Sequence, residues 1–317
     1  MKIVILDGYM ANPGDLSWDA VARLGDTAVY DRTAPDEVVE RAKDAQAVFV
    51  NKVLMTDEIL GRLPRLKFIG VMATGYNNID VKAACRRGVC VCNVPAYSTE
   101  AVAQTVFALL LEITNRVGRY SSLVHSGQWA ESKDFSFTLG PITELSGLTM
   151  GVYGFGNIGR RVAAIASAFG MNVISPTSQP RENLPGYVAK VTFDEFLAQS
   201  DIISVNSPLT DANRHIFNDS AFEKMRRGVI LINTARGPLI DEQALADALE
   251  SGQVGAAGVD VLEQEPPRSG SPLIGAPRCF ITPHIAWQSV AARRRLIDIC
   301  AANLAAFVAG KPINVVS

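Results

Sequence analysis

Short runs of apolar and β-branched residues alternate with longer helical patterns along the chain. Two series of such runs follow one another. The first comprises residues 3–6, 28–30, 47–50, 68–71 and 89–92, and the second 150–153, 172–175, 202–206, 229–232, 256–259 and 279–282. A helix between two strands returns the chain to the starting end of the sheet, so that the strands can pair in parallel. The pattern predicts an α/β protein with doubly wound parallel sheets.

The length of 317 residues exceeds what a single hydrophobic core usually organises, which favours two domains. We predict a flavodoxin-like domain from residues 1–98 plus 288–317 and a Rossmann-like domain from residues 99–287. The apolar stretch 99–118 could form a helix that connects them, and the amphipathic stretch 289–309 could return to the first domain. Residues near 120–146 are aromatic and irregular. They could form an oligomerisation arm that packs on a second subunit.

The composition excludes several classes of function. A formal net charge of −2 gives no electrostatic reason for a nucleic-acid or anionic-membrane partner. No apolar run is long enough to span a bilayer, and the opening residues lack the pattern of a secretory signal. Five cysteines without paired CxxC spacing favour neither a disulfide framework nor a zinc site. We therefore expect a cytoplasmic protein that contains no metal and acts on small neutral or anionic metabolites.

The segment 151–160 contains glycines at G-x-G-x-x-G spacing, directly after a predicted strand and before an alanine-rich helix. Gly154 permits a tight turn, Gly156 lets the backbone approach a pyrophosphate, and Gly159 lets helix and strand pack closely. Free N–H groups at the start of the helix attract phosphate groups. Strand, turn and helix agree, which favours a dinucleotide site over a glycine turn without a ligand.

The cofactor preference depends on the residues that follow the second strand of this series. An NAD-binding fold usually places an acid there to hold the ribose hydroxyls, but residues 176–181 contain none. Thr177 and Ser178 could instead donate hydrogen bonds to a 2′-phosphate, and Arg181 could neutralise it. This pattern slightly favours NADP(H) over NAD(H). A relaxed NAD site, with the ribose held by other groups, stays open.

Only three histidines are present, so a proton donor that works near neutral pH has few candidates. His125 lies in the irregular arm, and His215 lies in a polar segment. His284 follows a predicted strand, at the carboxyl end of the sheet, where open α/β folds bind their ligands. This position favours His284 as the acid or base.

Two further candidates also follow predicted strands. Arg236 lies between an apolar strand and a glycine, where its guanidinium could grip a substrate carboxylate and polarise the neighbouring carbonyl. Glu265 follows the strand 256–259, where a carboxylate could pair with His284 and favour its protonated form. Glu263 competes with Glu265 by position alone.

At these residues the sequence resembles the D-isomer-specific 2-hydroxyacid dehydrogenase family, and the resemblance covers essentially the whole chain. The matching motifs are separated and stand in the right order, which rarely occurs by chance. They are Gly154-Phe155-Gly156-Asn157-Ile158-Gly159, the segment 192–214 with Ser207-Pro208-Leu209-Thr210, Asn233-Thr234-Ala235-Arg236-Gly237, Asp260 with Glu265-Pro266, and Pro283-His284-Ile285-Ala286.

The resemblance implies roles for particular residues. Arg236 binds substrate, His284 is the acid or base, and Glu265 is its acidic partner, which selects Glu265 over Glu263. The loop Ala73-Thr74-Gly75 presents backbone N–H groups to the substrate carboxylate. The residues implied to approach the cofactor are Thr74, Asn157, Ile158, Ser207, Thr234, Asp260 and His284. The family also implies a homodimer.

Further segments look like the glycerate dehydrogenase or hydroxypyruvate reductase branch of the family. They are Ile5-Leu6-Asp7-Gly8-Tyr9, Asn12-Pro13-Gly14-Asp15, Ala73-Thr74-Gly75-Tyr76-Asn77 and Pro283-His284-Ile285-Ala286-Trp287. This likeness implies reduction of hydroxypyruvate, with glyoxylate as a smaller second substrate and D-glycerate or glycolate as reverse substrates. The keto acid would lie in an active site in the cleft between the domains. Protonated His284 would supply the proton, so that reduction weakens as the pH rises.

Three other interpretations stay open. A dinucleotide-sensing regulatory protein could keep the fold without turnover, although the set of Arg236, Glu265 and His284 argues against it. An S-adenosylmethionine-dependent methyltransferase also uses a glycine-rich turn, yet it needs no such set. A dehydrogenase for another 2-keto acid is the third. Turnover and direct cofactor binding would separate these readings.

Overall fold

The computed structural model describes residues 1–317, which form two compact units: residues 1–98 with 287–317, and residues 99–286. The strands are β1 (Lys2–Ile5), β2 (Asp26–Val29), β3 (Ala47–Val50), β4 (Phe68–Val71), β5 (Cys90–Cys92), β6 (Thr149–Tyr153), β7 (Asn172–Ser175), β8 (Val188–Lys190), β9 (Ile202–Val205), β10 (Val229–Asn233), β11 (Val254–Val259) and β12 (Cys279–Ile281).

The α-helices are α1 (Asp19–Ala22), α2 (Val38–Ala42), α3 (Asp57–Gly61), α4 (Val81–Arg86), α5 (Thr99–Asn115), α6 (Val117–His125), α7 (Asn157–Ala168), α8 (Phe193–Gln199), α9 (Asp219–Lys224), α10 (Glu242–Glu250) and α11 (Val290–Val308). Short 3-10 helices lie at Pro35–Glu37, Arg181–Asn183, Asp211–Asn213 and Gly237–Leu239. The predicted α/β class with two parallel sheets is therefore confirmed.

The sheet of the first unit has the strand order β2-β1-β3-β4-β5, and all of its pairs are parallel. Every residue of β3 and β4 is buried, as expected for parallel strands that helices cover on both faces. Aliphatic side chains from the strands and from α2 to α4 form one core. On α11, Phe307 packs against Phe68 of β4, with 5.2 Å between the ring centroids.

The final helix predicted at 289–309 is confirmed as α11, which belongs to the first unit. Ser289 caps it by accepting a hydrogen bond from the Ala292 N–H at 3.2 Å. Arg293, whose side chain is only 7% exposed, forms an ion pair with Asp15 at 2.6 Å and so ties the helix to the loop after β1. None of the helices combines the length and the apolar composition of a membrane-crossing helix.

The sheet of the second unit has the strand order β12-β11-β10-β9-β6-β7-β8, again entirely parallel. The strand order reverses between β6 and β9, since β7 and β8 continue to one side and β10 to β12 to the other. Apolar clusters lie on both faces of this sheet. In such sheets the crevice at the carboxyl ends of the strands, next to the reversal, is the usual ligand site.

The structure differs from the sequence predictions at three places in the second unit. Strand β8 was not predicted, because it has three residues at the edge of the sheet and only Val188 is buried. The stretch from Ser121 was predicted to be irregular, but helix α6 continues to His125. Arg116, with a φ of 54°, separates α5 from α6, so the long helix ends at Asn115 rather than near 118.

Candidate active site

The glycine-rich turn lies at the point where the strand order of the second unit reverses. Gly154 follows β6 with a φ of 91°, in the left-handed region that glycine tolerates. A Cβ on Gly154 would lie 2.4 Å from the backbone nitrogen of Ser207, which follows β9. The two chain segments at the reversal therefore touch through their backbones, and only glycine permits this approach.

The other two glycines of the turn differ in the space around them. A Cβ on Gly159 would lie 2.0 Å from the carbonyl oxygen of Gly154, so this glycine allows α7 to pack on the turn. A Cβ on Gly156 would meet no atom within 4 Å. Gly156 is also the N-cap of α7 and provides no side-chain cap. The space beside Gly156 at the start of α7 is thus open, which fits a cofactor pyrophosphate bound by the first N–H groups of the helix.

Two buried polar atoms at the neighbouring ends of β9 and β10 have no partner within the protein. They are the hydroxyl oxygen of Thr234, after β10, and the side-chain carbonyl oxygen of Asn206, after β9. Unsatisfied buried polar atoms are rare and indicate a missing partner, so they fit a ligand that carries hydrogen-bonding groups. Thr234 was among the predicted cofactor contacts. Asn206 was missed, although its place directly before Ser207, at a strand end, was a usable signal.

The loop after β7 is tied to the glycine-rich turn by Gln179. Its side-chain amide donates to the carbonyl oxygen of Phe155 at 2.8 Å, and the guanidinium of Arg160 contacts its side-chain oxygen. Lys190 of β8 donates to the backbone oxygen of Gln179 at 2.8 Å. Two cationic side chains that the sequence analysis missed therefore gather at this loop. Lys190 had no detectable signal, because its strand was not predicted.

The three residues predicted to bind a 2′-phosphate lie in the same loop. The hydroxyl of Thr177 accepts a hydrogen bond from the Gln179 N–H at 3.2 Å. Ser178 is exposed. Arg181 donates to the carbonyl oxygen of Pro185 at 3.4 Å. Thr177 and Ser178 thus keep hydroxyl hydrogens that can be donated to a ligand, and no carboxylate of residues 176–181 opposes a phosphate.

His284 and Glu265 form a direct pair. The Nδ1 atom of His284 lies 2.6 Å from the Oε2 atom of Glu265, and the two side chains are 27% and 31% exposed. The other carboxylate oxygen accepts the N–H of Leu262 at 3.0 Å. Because Nδ1 is held by the carboxylate, Nε2 is the ring nitrogen that can exchange a proton with a ligand.

The turn that carries His284 is built around Asp260, which is 1% exposed and follows β11. Its carboxylate accepts hydrogen bonds from the hydroxyl of Thr282 at 2.6 Å and from the N–H groups of Ile285 and Ala286 at 2.9 Å each. The N–H of His284 donates to the backbone oxygen of Asp260 at 2.8 Å. These bonds hold His284 at a φ of 55°, a conformation that non-glycine residues adopt only when their surroundings enforce it.

Arg236 follows β10 and lies in a turn braced by Asn233. The Asn233 side chain accepts from the Ala235 N–H at 3.0 Å and donates to the Arg236 carbonyl oxygen at 2.9 Å. A Cβ on Gly237 would lie 2.0 Å from the backbone carbon of Leu262, so this turn touches the loop that carries Glu265. The Arg236 side chain is exposed and can reach an anionic ligand. The three predicted catalytic residues thus follow three adjacent strands.

Glu263 does not contact His284. Its carboxylate contacts the Nε2 atom of His215 instead. Position alone left Glu263 and Glu265 as rivals, and the geometry of the loop pairs Glu265 with His284.

The loop of residues 73–75 belongs to the first unit, where it follows β4. The hydroxyl of Thr74 donates to the carbonyl oxygen of Val94, and the Asn93 side chain donates to that of Thr74, both at 2.8 Å. The N–H groups of Ala73, Thr74 and Gly75 make no hydrogen bond within the protein. The loop is fixed and has free donors, and its expected role in carboxylate binding stays a prediction.

Comparison with known proteins gives a consistent result. Residues 107–286 match the family model described as D-isomer specific 2-hydroxyacid dehydrogenase, NAD binding domain. A hydroxypyruvate reductase from Blautia hydrogenotrophica is 45% identical over 321 residues, which cover all of both chains. A glycerate dehydrogenase from Methylorubrum extorquens is 40% identical over 290 residues, which cover 90% of each chain.

A solved structure extends the comparison to the fold. It is that of an acyclic imino acid reductase in complex with NADPH and D-Arg. The TM-score is 0.87 at 30% sequence identity, and the match covers all of both chains.

The glycine environments predict two different outcomes of adding a methyl group. Gly156→Ala should fold with an unchanged melting temperature, because its Cβ meets open space, but should weaken dinucleotide binding by about tenfold or more, or ~1.4 kcal/mol, by obstructing the pyrophosphate. Gly159→Ala should lower both the melting temperature and the affinity. Thermal unfolding and fluorescence titration with NADPH and NADH measure the two effects. Unchanged affinity of Gly156→Ala would contradict the proposed position of the pyrophosphate.

Proposed function

This chain belongs to the D-isomer specific 2-hydroxyacid dehydrogenases, and we propose that it reduces hydroxypyruvate to D-glycerate, with glyoxylate as a smaller second substrate. It is an oxidoreductase of 2-hydroxy acids that uses a nicotinamide dinucleotide. The observation that carries the proposal is the contact of 2.6 Å between Glu265, which follows β11, and His284, which follows β12, with Arg236 after the neighbouring β10. The substrate is supported by the hydroxypyruvate reductase that is 45% identical over the full chain.

Each of the three side chains has a separate task in this proposal. The guanidinium of Arg236 binds the substrate carboxylate through paired N–H groups and polarises the adjacent carbonyl. His284, protonated on Nε2, gives its proton to the carbonyl oxygen of the substrate, and Glu265 accepts a hydrogen bond from Nδ1 and stabilises the charged ring. The bound nicotinamide supplies the hydride. Reduction therefore weakens as the pH rises, because neutral His284 has no proton to give at Nε2.

The first N–H groups of α7 would hold the cofactor pyrophosphate, and Thr234 and Asn206 would supply polar contacts to the cofactor. We infer a preference for NADP(H). Thr177 and Ser178 offer hydroxyl donors to a 2′-phosphate, and Arg181 offers a positive charge. Arg160 and Lys190, which both contact Gln179, add two more charges at the same loop.

We also propose that the enzyme is a homodimer that associates through the arm 120–146 and helix α6. None of the nine residues of α6 is buried, and isolated helices of this length are not stable in water. Phe135 is 92% exposed, and Val117, Ile142 and Trp129 are 64%, 59% and 52% exposed. An exposed apolar surface of this kind fits a second copy of the same chain.

The central test is to mix the purified protein with hydroxypyruvate or glyoxylate and NADPH or NADH, and to follow the loss of reduced-nicotinamide absorbance.

His284→Ala should lower kcat by a factor of about 10² to 10⁴, because the proton donor is lost, while dinucleotide affinity stays unchanged. His125→Ala, at the last residue of α6, is the matched control: with its oligomeric state checked by light scattering to equal that of the wild type, it should keep full activity. Full activity of His284→Ala would remove the proposed acid, and no turnover with any pairing would refute the proposed substrates.

The cofactor preference is tested by changing the charge of the loop after β7. Thr177→Asp should lower kcat/KM for NADPH by about tenfold or more and change that for NADH little, because a carboxylate repels a 2′-phosphate and can bind ribose hydroxyls. Lys190→Met should weaken NADPH binding and leave NADH binding unchanged. Steady-state kinetics with both cofactors provides the measurement. A wild-type enzyme that prefers NADH would contradict the inference without affecting the proposed reaction.

The arm predicts a specific effect on oligomeric state. Phe135→Asp should shift the protein from dimer to monomer, because the charge would have to be buried against the second copy. Ile274→Asp places the same charge at another exposed apolar position of the second unit, where Ile274 is 55% exposed, and should leave the dimer intact. Light scattering after size-exclusion chromatography distinguishes the states. A monomeric wild-type protein would refute the proposed dimer.

A further inference from the structure

Glu242 is a buried carboxylate that the proposed reaction does not use. It is the first residue of α10 and is 8% exposed. Its Oε1 atom accepts the N–H of Glu263 at 2.6 Å, and its Oε2 atom accepts the hydroxyl of Ser271 at 2.5 Å. Acidic residues are seldom buried unless such partners compensate the lost hydration.

These two hydrogen bonds fix both ends of the segment 263–271, which carries Glu265. Residues 263–266 and 268–270 are exposed, so side-chain packing does little to hold the segment. At the end of the segment, the hydroxyl of Ser271 also accepts the N–H of Leu273 at 3.2 Å, and Leu273 is 2% exposed. One buried carboxylate therefore connects an exposed loop to the core at its two ends.

The surroundings of Glu242 favour an acidic group at this position. The N–H groups in the first turn of α10 carry partial positive charge, which stabilises a nearby anion. The effect of Glu242 also reaches β12, the strand that leads to His284. Burial raises the pKa of the Cys279 thiol to about 12, and the negative charge of Glu242 contributes to this shift.

A second contact on the same loop is a weaker candidate for holding it. The carboxylate of Glu263 contacts His215, but the two side chains are 37% and 38% exposed. Exposed ion pairs contribute little to stability, because water competes for both partners. The buried hydrogen bonds to Glu242 are shielded from this competition.

We propose that Glu242 is a positioning residue that holds the loop 263–271 so that Glu265 reaches His284. This inference rests on the proposed function, in which Glu265 stabilises the protonated His284. A carboxylate accepts from both Glu263 and Ser271, whereas a carboxamide of the same shape accepts from only one of them and carries no charge, so that a bond it donates to the Ser271 hydroxyl is a weaker, neutral one. Weakening or losing either bond loosens the loop and weakens the contact between Glu265 and His284.

The test compares Glu242→Gln with Glu250→Gln, the same change at the exposed end of α10. Full-length protein labelled with ¹⁵N-histidine is examined by NMR without substrate for the Nδ1–H proton of His284, assigned by its absence in His284→Gln. Glu242→Gln should lose or broaden this resonance. It should also lower kcat for hydroxypyruvate by about tenfold or more, change KM by less than about threefold, and move the alkaline fall of kcat to lower pH. Glu250→Gln should match the wild type.

The outcomes separate this inference from the proposed function. A His284 resonance and pH profile in Glu242→Gln identical to those of the wild type would overturn the positioning role. If Glu242→Gln does not fold, Ser271→Ala removes one of the two bonds, and an unchanged resonance in that variant would overturn it as well. Since the NMR signal needs no substrate, a wild type without turnover would refute the proposed substrate alone.

Discussion

Parallel pairing of the strands in the second unit is the constraint on which its site depends. Because every strand runs in the same direction, the segments after β6, β9, β10, β11 and β12 all lie at one edge of the sheet. Residues far apart in sequence are thereby brought to adjacent strand ends. Gly154 and Asn206 meet at the reversal of strand order, and Arg236, Asp260 and His284 follow the next three strands. The residues proposed to bind the cofactor and those proposed to be catalytic therefore share one edge.

Buried polar side chains hold the loops that follow these strands in fixed positions. Asn233 braces the turn of Arg236, Asp260 organises the turn of His284, and Glu242 accepts hydrogen bonds from both ends of the loop of Glu265. Each acts through hydrogen bonds to backbone groups or hydroxyls that helices and strands leave unpaired. Such groups need partners when buried, so satisfying them also fixes the positions of the proposed catalytic side chains.

Elements with strong periodic signals were predictable. The eleven predicted strands have counterparts in the structure, and helix α11 begins and ends within a residue of its predicted bounds. Elements that form mainly through tertiary contacts were not predictable. Strand β8 pairs only at the sheet edge with one buried residue, and α6 has no buried face to produce a period. Lys190 and Gln179 were missed for the same reason, since their contacts depend on that edge strand and its loop.

The amino-acid sequence by itself determined the α/β class, the glycine-rich turn and the strand ends that carry Arg236 and His284, because these follow from local periodicity and from residue types at fixed spacing. Residue positions left Glu263 and Glu265 as rivals and the family resemblance implied Glu265, but only the tertiary structure shows which carboxylate contacts which histidine. Glu263 and Glu265 both follow β11, but the loop directs Glu265 to His284 and Glu263 to His215. The buried bonds from Glu242 to that loop join α10 to residues 21 and 29 positions away. Spacing along a chain does not encode such contacts, because they arise only when distant elements pack together.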